Sequence, residues 1–152
     1  MINRSGRPKN FLTTDEKNRI AEAIRAAEAK TSGEIRVHLD RHCKGTGAID
    51  AAKFTFDRLG MHATRGKNGV LIYLAVHDRL FAVVGDTGLD GKLEPAFWEG
   101  VRDRLGKAFA EDKFGEGLAA AIGEIGEKLS SQFPHTAADT SHMSDQVSIG
   151  RG

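Results

Sequence analysis

The sequence predicts an α/β fold, a three-layer α-β-α sandwich around a small mixed sheet of three to four strands. Two near-continuous apolar runs, at 69–76 and 80–85, flank a short polar turn at 77–79. This pattern is typical of a hairpin whose two strands are buried on both faces. Segments with helical periodicity lie on both sides of the hairpin in the chain, and they supply the layers that would cover the sheet.

The first half of the chain predicts the order helix, strand, helix, strand. A Thr-x-x-Glu capping box at 13–16 starts a helix that ends near Lys30. Residues 34–40 alternate between apolar and polar side chains, which indicates a strand with one wetter face. A second helix covers 49–59, so the strands at 34–40 and 69–76 form a right-handed crossover and are expected to be parallel. The core-facing residues of this second helix are expected to be Ile49, Ala52, Phe56 and Leu59.

The second half predicts an antiparallel return strand and two further helices. The strand at 80–85 pairs with its hairpin partner, and a helix starts at about Glu94 with Pro95 in its first turn. A last helix carries Gly123 and Gly126, which weaken it by ~1 kcal/mol each relative to Ala. Both glycines are therefore expected to permit close packing against a helix or the sheet.

The chain is expected to form one folded domain with two flexible ends. A length of 152 residues suits a single domain with a substantial core. The expected boundaries are a flexible N-terminus at 1–10, a folded domain at 11–134 and a disordered tail at 135–152. The tail sequence is polar, small and aperiodic, so its deletion is expected to leave the melting temperature nearly unchanged.

Charge and composition argue against several classes of partner. The chain has 22 basic and 21 acidic residues, a net charge of +1, and so lacks the excess of positive charge that nucleic acids or anionic membranes attract. No apolar run follows the N-terminus or approaches the roughly 18 residues of a membrane span, so a soluble protein in the cytoplasm is expected. Cys43 is the single cysteine, which excludes an intramolecular disulfide and fits a reducing compartment.

Motif patterns exclude several catalytic classes. A cysteine phosphatase needs an Arg six residues after its nucleophile, and Ile49 stands at that distance from Cys43. No phosphate-binding loop of the nucleotide hydrolases is present. The turn at 86–91 lacks the ligands of an EF-hand, although Asp86 and Asp90 could contribute to an oxygen-ligand site or serve only as turn residues. The six histidines show no metal-binding spacing and are expected to be solvated.

The predicted topology gathers polar residues at two edges of the sheet. At the first rim, the amino-terminal ends of the two parallel strands meet the carboxyl-terminal end of the antiparallel strand. Its expected members are Thr31, Ser32, Glu34, His62, Thr64, Arg65, Lys67, Asn68, Asp86 and Thr87. The opposite rim carries Asp40, His42, Cys43, Asp78 and Arg79. In open α/β sheets, ligands usually bind at the carboxyl edge, which is the opposite rim here. Both rims could also be polar simply because loops are polar.

Several sequence blocks resemble the TPM domain family, over about Phe11 to Pro134. The blocks are Thr31-Ser32-Gly33-Glu34-Ile35, Leu59-Gly60-Met61-His62-x-Thr64, Asn68-Gly69-Val70-Leu71-Ile72-Tyr73, Phe81-Ala82-Val83-Val84-Gly85-Asp86-x-Gly88 and Phe97-Trp98. The resemblance implies a helix-covered mixed sheet, acid phosphatase activity and divalent-cation binding, and it favours the first rim as the site. Longer family members carry a signal peptide, a transmembrane segment and a Gly-rich tail that this sequence lacks, so membrane roles are not expected.

The leading hypothesis is a cytoplasmic TPM-domain protein that binds calcium or magnesium at the first rim and slowly hydrolyses phosphate monoesters. Asp86 and Glu34 would ligate the cation, and His62 with Asp86 would provide the catalytic groups. The residues expected to hold a small phosphorylated substrate are Thr64, Arg65, Lys67 and Asn68. The rival hypothesis is a non-catalytic interaction domain that docks a protein partner. The substrate and the oligomeric state are left open.

Overall fold

A four-stranded mixed sheet forms the middle layer of the protein. The structure, a computed structural model, describes residues 4–43, 47–135 and 144–150. The strands are β1 (Ile35–Asp40), β2 (Val70–Ala75), β3 (Leu80–Gly85) and β4 (Ser148–Ile149), in the order β3-β2-β1-β4. β1 is parallel to β2, and β2 is antiparallel to β3. The predicted crossover and hairpin are therefore confirmed.

Five α-helices lie in the described part of the chain. They are α1 (Pro8–Phe11), α2 (Thr14–Glu28), α3 (Ala48–Arg58), α4 (Pro95–Ala110) and α5 (Phe114–Gln132). Helix α2 begins at the predicted capping box, because the Glu16 amide donates to the Thr13 hydroxyl and the Thr13 amide donates to the Glu16 carboxylate. Pro95 lies in the first turn of α4, as predicted. Local sequence signals thus set both helix starts.

The two faces of β2 belong to two different parts of the core. Val70, Ile72 and Leu74 pack into a large cluster with apolar side chains of α2, α4 and α5. Leu71, Tyr73 and Ala75 point the other way and pack with Ala52 and Phe56 of α3. Because all six residues of β2 are buried, helices cover the sheet on both sides. The predicted three-layer sandwich is confirmed.

Helix α5 packs on α2 through a glycine contact. The predicted inward residues of α5 are fully buried, namely Leu118, Ile122, Ile125 and Leu129. A Cβ atom on Gly126 would lie 2.6 Å from Cβ of Ala27 in α2, a distance that real Cβ atoms do not reach. A Cβ atom on Gly123 would meet nothing within 4 Å. The expected close packing is therefore found at Gly126 and is absent at Gly123.

The buried stripe of α3 is shorter than its periodicity predicts. Ala52 and Phe56 are buried, as expected, and Thr55 lies beside them. Ile49 is 60% exposed, so its expected core position is wrong. Helical spacing gives the direction of a side chain, but it does not tell whether the sheet extends beneath the first turn of the helix.

The chain end adds a strand where the sequence predicts a disordered tail. In β4, Ser148 and Ile149 pair in parallel with His38 and Leu39 of β1, and the Gly150 amide donates to the Leu39 carbonyl over 2.8 Å. Residues 144–150 thus differ from that expectation, whereas 136–143 and 151–152 lie outside the described residues. Two paired residues are too few to produce a periodic pattern, so the sequence gives no strand signal there.

The N-terminal segment is also held in place, although the sequence predicts a flexible stretch at 1–10. The Arg4 guanidinium lies 2.6 Å from a carboxylate oxygen of Glu16 and 2.7 Å from one of Asp112. It also stands over the ring of Phe114, 4.7 Å from the centroid. Residues 4–10 therefore differ from the expectation, and 1–3 lie outside the described residues. Within the described ranges, no helix has both the length and the apolar character needed to cross a membrane.

Candidate functional site

The first rim brings His62 and Asp86 into contact, as the predicted register requires. Asp86 directly follows β3 and caps the short 3-10 helix Thr87–Leu89. Its Oδ1 atom accepts a hydrogen bond from the Thr87 amide over 2.7 Å and lies 2.9 Å from Nδ1 of His62. The side chain of Asp86 is 1% exposed, and that of His62 is 50% exposed. A buried carboxylate thus holds a histidine that faces solvent.

Two carboxylates hold the His62 ring, one at each nitrogen. Nδ1 meets Asp86, and Nε2 lies 2.5 Å from Oδ1 of Asp57. A carboxylate only accepts hydrogen bonds, so both contacts are made fully when the imidazole carries both protons. The hydrogen bond with Asp57, aided by that with Asp86, raises the pKa of His62 above its ordinary value. The ring of Phe56 packs beside His62, with the centroids 4.7 Å apart.

A cavity of about 280 Å³ opens beside this histidine. Its polar lining residues are Lys53, Asp57, His62, Asp86 and Thr87. Lys53 and Asp57 come from α3, whose position over the sheet is a matter of tertiary packing. The sequence therefore gives no signal that would place these two residues at the first rim.

Asn68 lies beneath the first rim and is fully buried. Its side-chain amide donates to the Ser32 hydroxyl over 3.1 Å, and its backbone amide donates to the Thr64 hydroxyl over 3.1 Å. The Lys67 ammonium donates to the His62 carbonyl over 2.6 Å. Hydrogen bonds therefore connect these predicted site residues to one another at the first rim. Arg65, which the sequence also predicts there, is exposed.

Asn68 and Asp86 at the first rim each bury a side-chain oxygen atom that has no hydrogen-bond partner within the described residues. These atoms are Oδ1 of Asn68 and Oδ2 of Asp86. Buried polar atoms are nearly always paired, because an unpaired one costs about 1–3 kcal/mol. Such atoms in a native structure are therefore candidates for contact with a ligand or ion.

Glu34 contacts a carboxyl group that the sequence does not single out. Glu34 is 1% exposed and forms a hydrogen bond with Glu28, at the end of α2. Burial, together with this hydrogen bond, raises the pKa of Glu28 to about 10. Glu28 also accepts a hydrogen bond from the Ile35 amide over 2.8 Å. Two carboxyl groups thus meet where the end of α2 lies beside the start of β1, and burial favours the protonated form of Glu28.

The opposite rim contains a pair of histidines whose spacing in the sequence does not indicate a metal site. His42, His77 and Asp78 each place a potential ligand atom within 4.8 Å of the other two. In the folded sheet, Asp40 pairs with Ala75, and each histidine follows its paired residue by two positions. Residues that follow two paired parallel strands by the same number of positions lie side by side at the edge of the sheet.

The fold and the first rim define a small α/β sandwich protein with a polar, partly buried candidate site at the amino-terminal edge of its parallel strands. The family model of the TPM domain matches residues 7–128. The chain belongs to the TPM domain family, and the resemblance seen in the sequence blocks is confirmed. A comparison with curated proteins gave no match.

Several solved structures resemble the protein, and two of them are compared with it as follows. The NMR structure of the BA42 protein from the psychrophilic bacterium Bizionia argentinensis is 36% identical, with a TM-score of 0.85. That match covers 96% of this chain and 100% of the other. The N-terminal domain of the cg2496 protein from Corynebacterium glutamicum is 17% identical, with a TM-score of 0.62 over 87% of this chain and 80% of that one. The second likeness concerns the fold alone.

Proposed function

We propose that this TPM-domain protein binds a divalent cation, calcium or magnesium, at the first rim and slowly hydrolyses phosphate monoesters there. The observation that carries the proposal is the contact between His62 and Asp86 beside a solvent-open cavity. The second carboxylate oxygen of Asp86 is buried and has no hydrogen-bond partner in the described structure. An acid-base group and an anionic oxygen therefore meet where a small ligand can enter.

The donor atoms suit a hard cation. Calcium and magnesium prefer carboxylate and amide oxygens, and Asp86 and Asn68 each have a buried oxygen without a hydrogen-bond partner in the described structure. These two residues would hold the cation, which would supply positive charge against a phosphate group. Glu34, the second carboxylate predicted from the sequence, is hydrogen-bonded to Glu28 and is left out of the proposed ligand set.

His62 would act as the general acid. Its raised pKa favours the protonated imidazole, which Asp57 and Asp86 orient. As water attacks phosphorus, the ester P–O bond breaks, and the imidazole gives its proton to the departing alcohol oxygen. The attacking water returns a proton to the ring, so water and monoester become alcohol and phosphate. The Lys53 ammonium at the cavity would hold the phosphate anion.

Turnover of para-nitrophenyl phosphate, with and without magnesium or calcium, tests the proposal. Asp86→Asn keeps the acceptor of the Thr87 amide but removes the negative charge, so we expect cation binding and turnover to fall at least about 10-fold. His62→Gln is expected to lower turnover and to leave cation binding largely intact. Asp103→Asn is the matched control, because Asp103 is an exposed aspartate of α4 and does not belong to the first rim. Metal-independent turnover that is unchanged in Asp86→Asn would refute the proposal.

A non-catalytic interaction domain is the second candidate. It is favoured by two large apolar side chains on α3, Ile49 and Phe54, which are 60% and 66% exposed. Backbone amide NMR shifts during titration with calcium, magnesium and inorganic phosphate separate the two candidates. Shifts localised around Asn68 and Asp86 support the small-ligand site. Their absence at millimolar concentrations favours the interaction domain.

A further inference from the structure

Two imidazoles and a carboxylate converge at the carboxyl edge of β1 and β2, opposite the site proposed above. Oδ1 of Asp78 lies 2.6 Å from Nδ1 of His42 and 3.7 Å from Nδ1 of His77. The centroids of the two imidazole rings are 4.6 Å apart. One ligand atom from each residue lies within 4.8 Å of the other two. The arrangement joins two segments that are 35 residues apart in the sequence.

The backbone fixes this spacing beyond the ends of the strands. The Val76 amide donates to the Asp40 carbonyl over 2.8 Å, and the His77 amide donates to the Arg41 carbonyl over 2.9 Å. Parallel pairing therefore continues up to the two histidines. The Cys43 amide donates to Oδ2 of Asp78 over 2.9 Å, which orients the carboxylate toward His42. The three ligand groups are thus positioned by main-chain contacts on both segments.

The donor set differs in kind from that of the first rim. Two imidazole nitrogens and one carboxylate oxygen are the ligands of three-residue zinc sites, whereas calcium and magnesium prefer oxygen alone. Ligand atoms around a tetrahedral zinc ion lie roughly 3.3 Å apart, from the usual zinc–ligand lengths. The side chains of His42 and His77 are 47% and 52% exposed, so small side-chain rotations can bring their ligand atoms to this distance.

We propose that His42, His77 and Asp78 form a second metal site, which binds a zinc-class transition ion. The site leaves a fourth position open to solvent or to a neighbouring donor; the Cys43 thiol is 3.6 Å from Oδ2 of Asp78. A bound ion links the segment after β1 to the turn between β2 and β3. It therefore stabilises the folded chain by an amount that rises with the logarithm of the ratio of its concentration to its dissociation constant. This inference does not depend on the proposed phosphatase function.

Calorimetric titration of the full chain with Zn²⁺ is the direct test. We expect His42→Gln, His77→Gln and Asp78→Asn each to weaken Zn²⁺ binding at least about 10-fold. One control, His135→Gln at an exposed position, is expected to bind Zn²⁺ as the parent does. The proposal is overturned if the parent does not bind Zn²⁺, or if only His62→Gln abolishes binding.

NMR signals of the histidine rings can be followed in the parent protein, so this test does not depend on the folding of a variant. On addition of Zn²⁺, the ring signals of His42 and His77 are expected to shift, while those of His62 keep their positions. Shifts confined to His62 would place the ion at the first rim and overturn the inference. Binding of Zn²⁺ is also expected to raise the melting temperature of the parent, and to raise it far less in His77→Gln.

Discussion

Oγ of Ser148 lies 2.8 Å from Nδ1 of His38, and this contact joins the last strand to a buried hydrogen-bonded chain. Nε2 of His38 lies 2.8 Å from Oδ1 of Asp40, and the Tyr73 hydroxyl donates to Oδ2 of Asp40 over 2.8 Å. His38 and Tyr73 are 1% and 0% exposed, so the expectation of solvated histidines is wrong for His38. The segment at 144–150 is thus attached to β1 and β2 through polar groups that lie inside the molecule.

Removal of the last strand is expected to destabilise the protein. Deleting 136–152 removes the Ser148–His38 contact, the packing of Val147 on the core and the Arg25–Asp145 ion pair. Ser148→Ala removes the first contact alone and is expected to cost about 1 kcal/mol. For a domain of this size that is a fall in melting temperature of about 2–4 °C, with a larger fall for the deletion.

Differential scanning calorimetry measures both changes. Ser131→Ala is the matched control, because Ser131 is an exposed serine of α5. The melting temperature of this variant is expected to stay close to that of the parent. An unchanged melting temperature in the deletion variant would contradict the packed strand. It would instead agree with the tail that the sequence predicts.

The two glycines of α5 are expected to respond to alanine in opposite directions. Gly126→Ala places a methyl group against Ala27 of α2, so it forces the helices apart and is expected to cost about 1–3 kcal/mol. Gly123→Ala meets open space and lowers the conformational entropy of the unfolded chain, so it is expected to stabilise by about 0.5–1 kcal/mol. Urea denaturation gives both free energies of unfolding.

Each glycine variant is the control for the other, because both substitutions add one methyl group to the same helix. Equal stabilisation by the two alanines would mean that α2 and α5 do not approach as closely as the contact at Ala27 requires. Equal destabilisation would contradict the open surroundings of Gly123.

Patterns within single elements predict the strands β1 to β3, and topology rules applied to these strands place His62 and Asp86 at the same rim. The apolar runs determine the hairpin, the crossover rule determines the parallel pair, and together they bring the residues after β3 near those before β2. Lys53 could not be assigned to the cavity in this way, because the angle of α3 over the sheet depends on packing. β4 is too short for a period, and the His42–His77 pair depends on a register that only the folded sheet fixes.

Arg4 is expected to stabilise the fold from outside the predicted domain boundary. Arg4→Met keeps much of the apolar stem but removes ion pairs with Glu16 and Asp112 and the charge over the Phe114 ring. Hydrogen bonds to charged groups are worth roughly 1.5–3 kcal/mol, so a loss of about that size is expected by urea denaturation. Arg7→Met is the control, because Arg7 is exposed. Equal stability of the two variants would indicate that residues 4–10 do not hold this position in solution.

Glu28 is expected to make the stability of the protein fall as the solution becomes more basic. Burial, with the hydrogen bond to Glu34, raises the pKa of Glu28 from 4.5 to about 10 in the folded chain. Between these values the folded state holds a proton that the unfolded state has released, so the free energy of unfolding decreases as pH rises through that window. Below about pH 4.5 both states are protonated and the stabilisation is fully present.

Glu28→Gln is expected to flatten this part of the pH profile. Glutamine is neutral at every pH, and its carbonyl oxygen can still accept the Ile35 amide that Glu28 binds. Urea denaturation at pH 5, 7 and 9 should therefore give a smaller decline for Glu28→Gln than for the parent, with the variant relatively more stable at pH 9. Glu22→Gln, on an exposed position of α2, is expected to keep the parent's slope. Parallel profiles for the parent and Glu28→Gln would show that the buried carboxyl pair does not retain its proton.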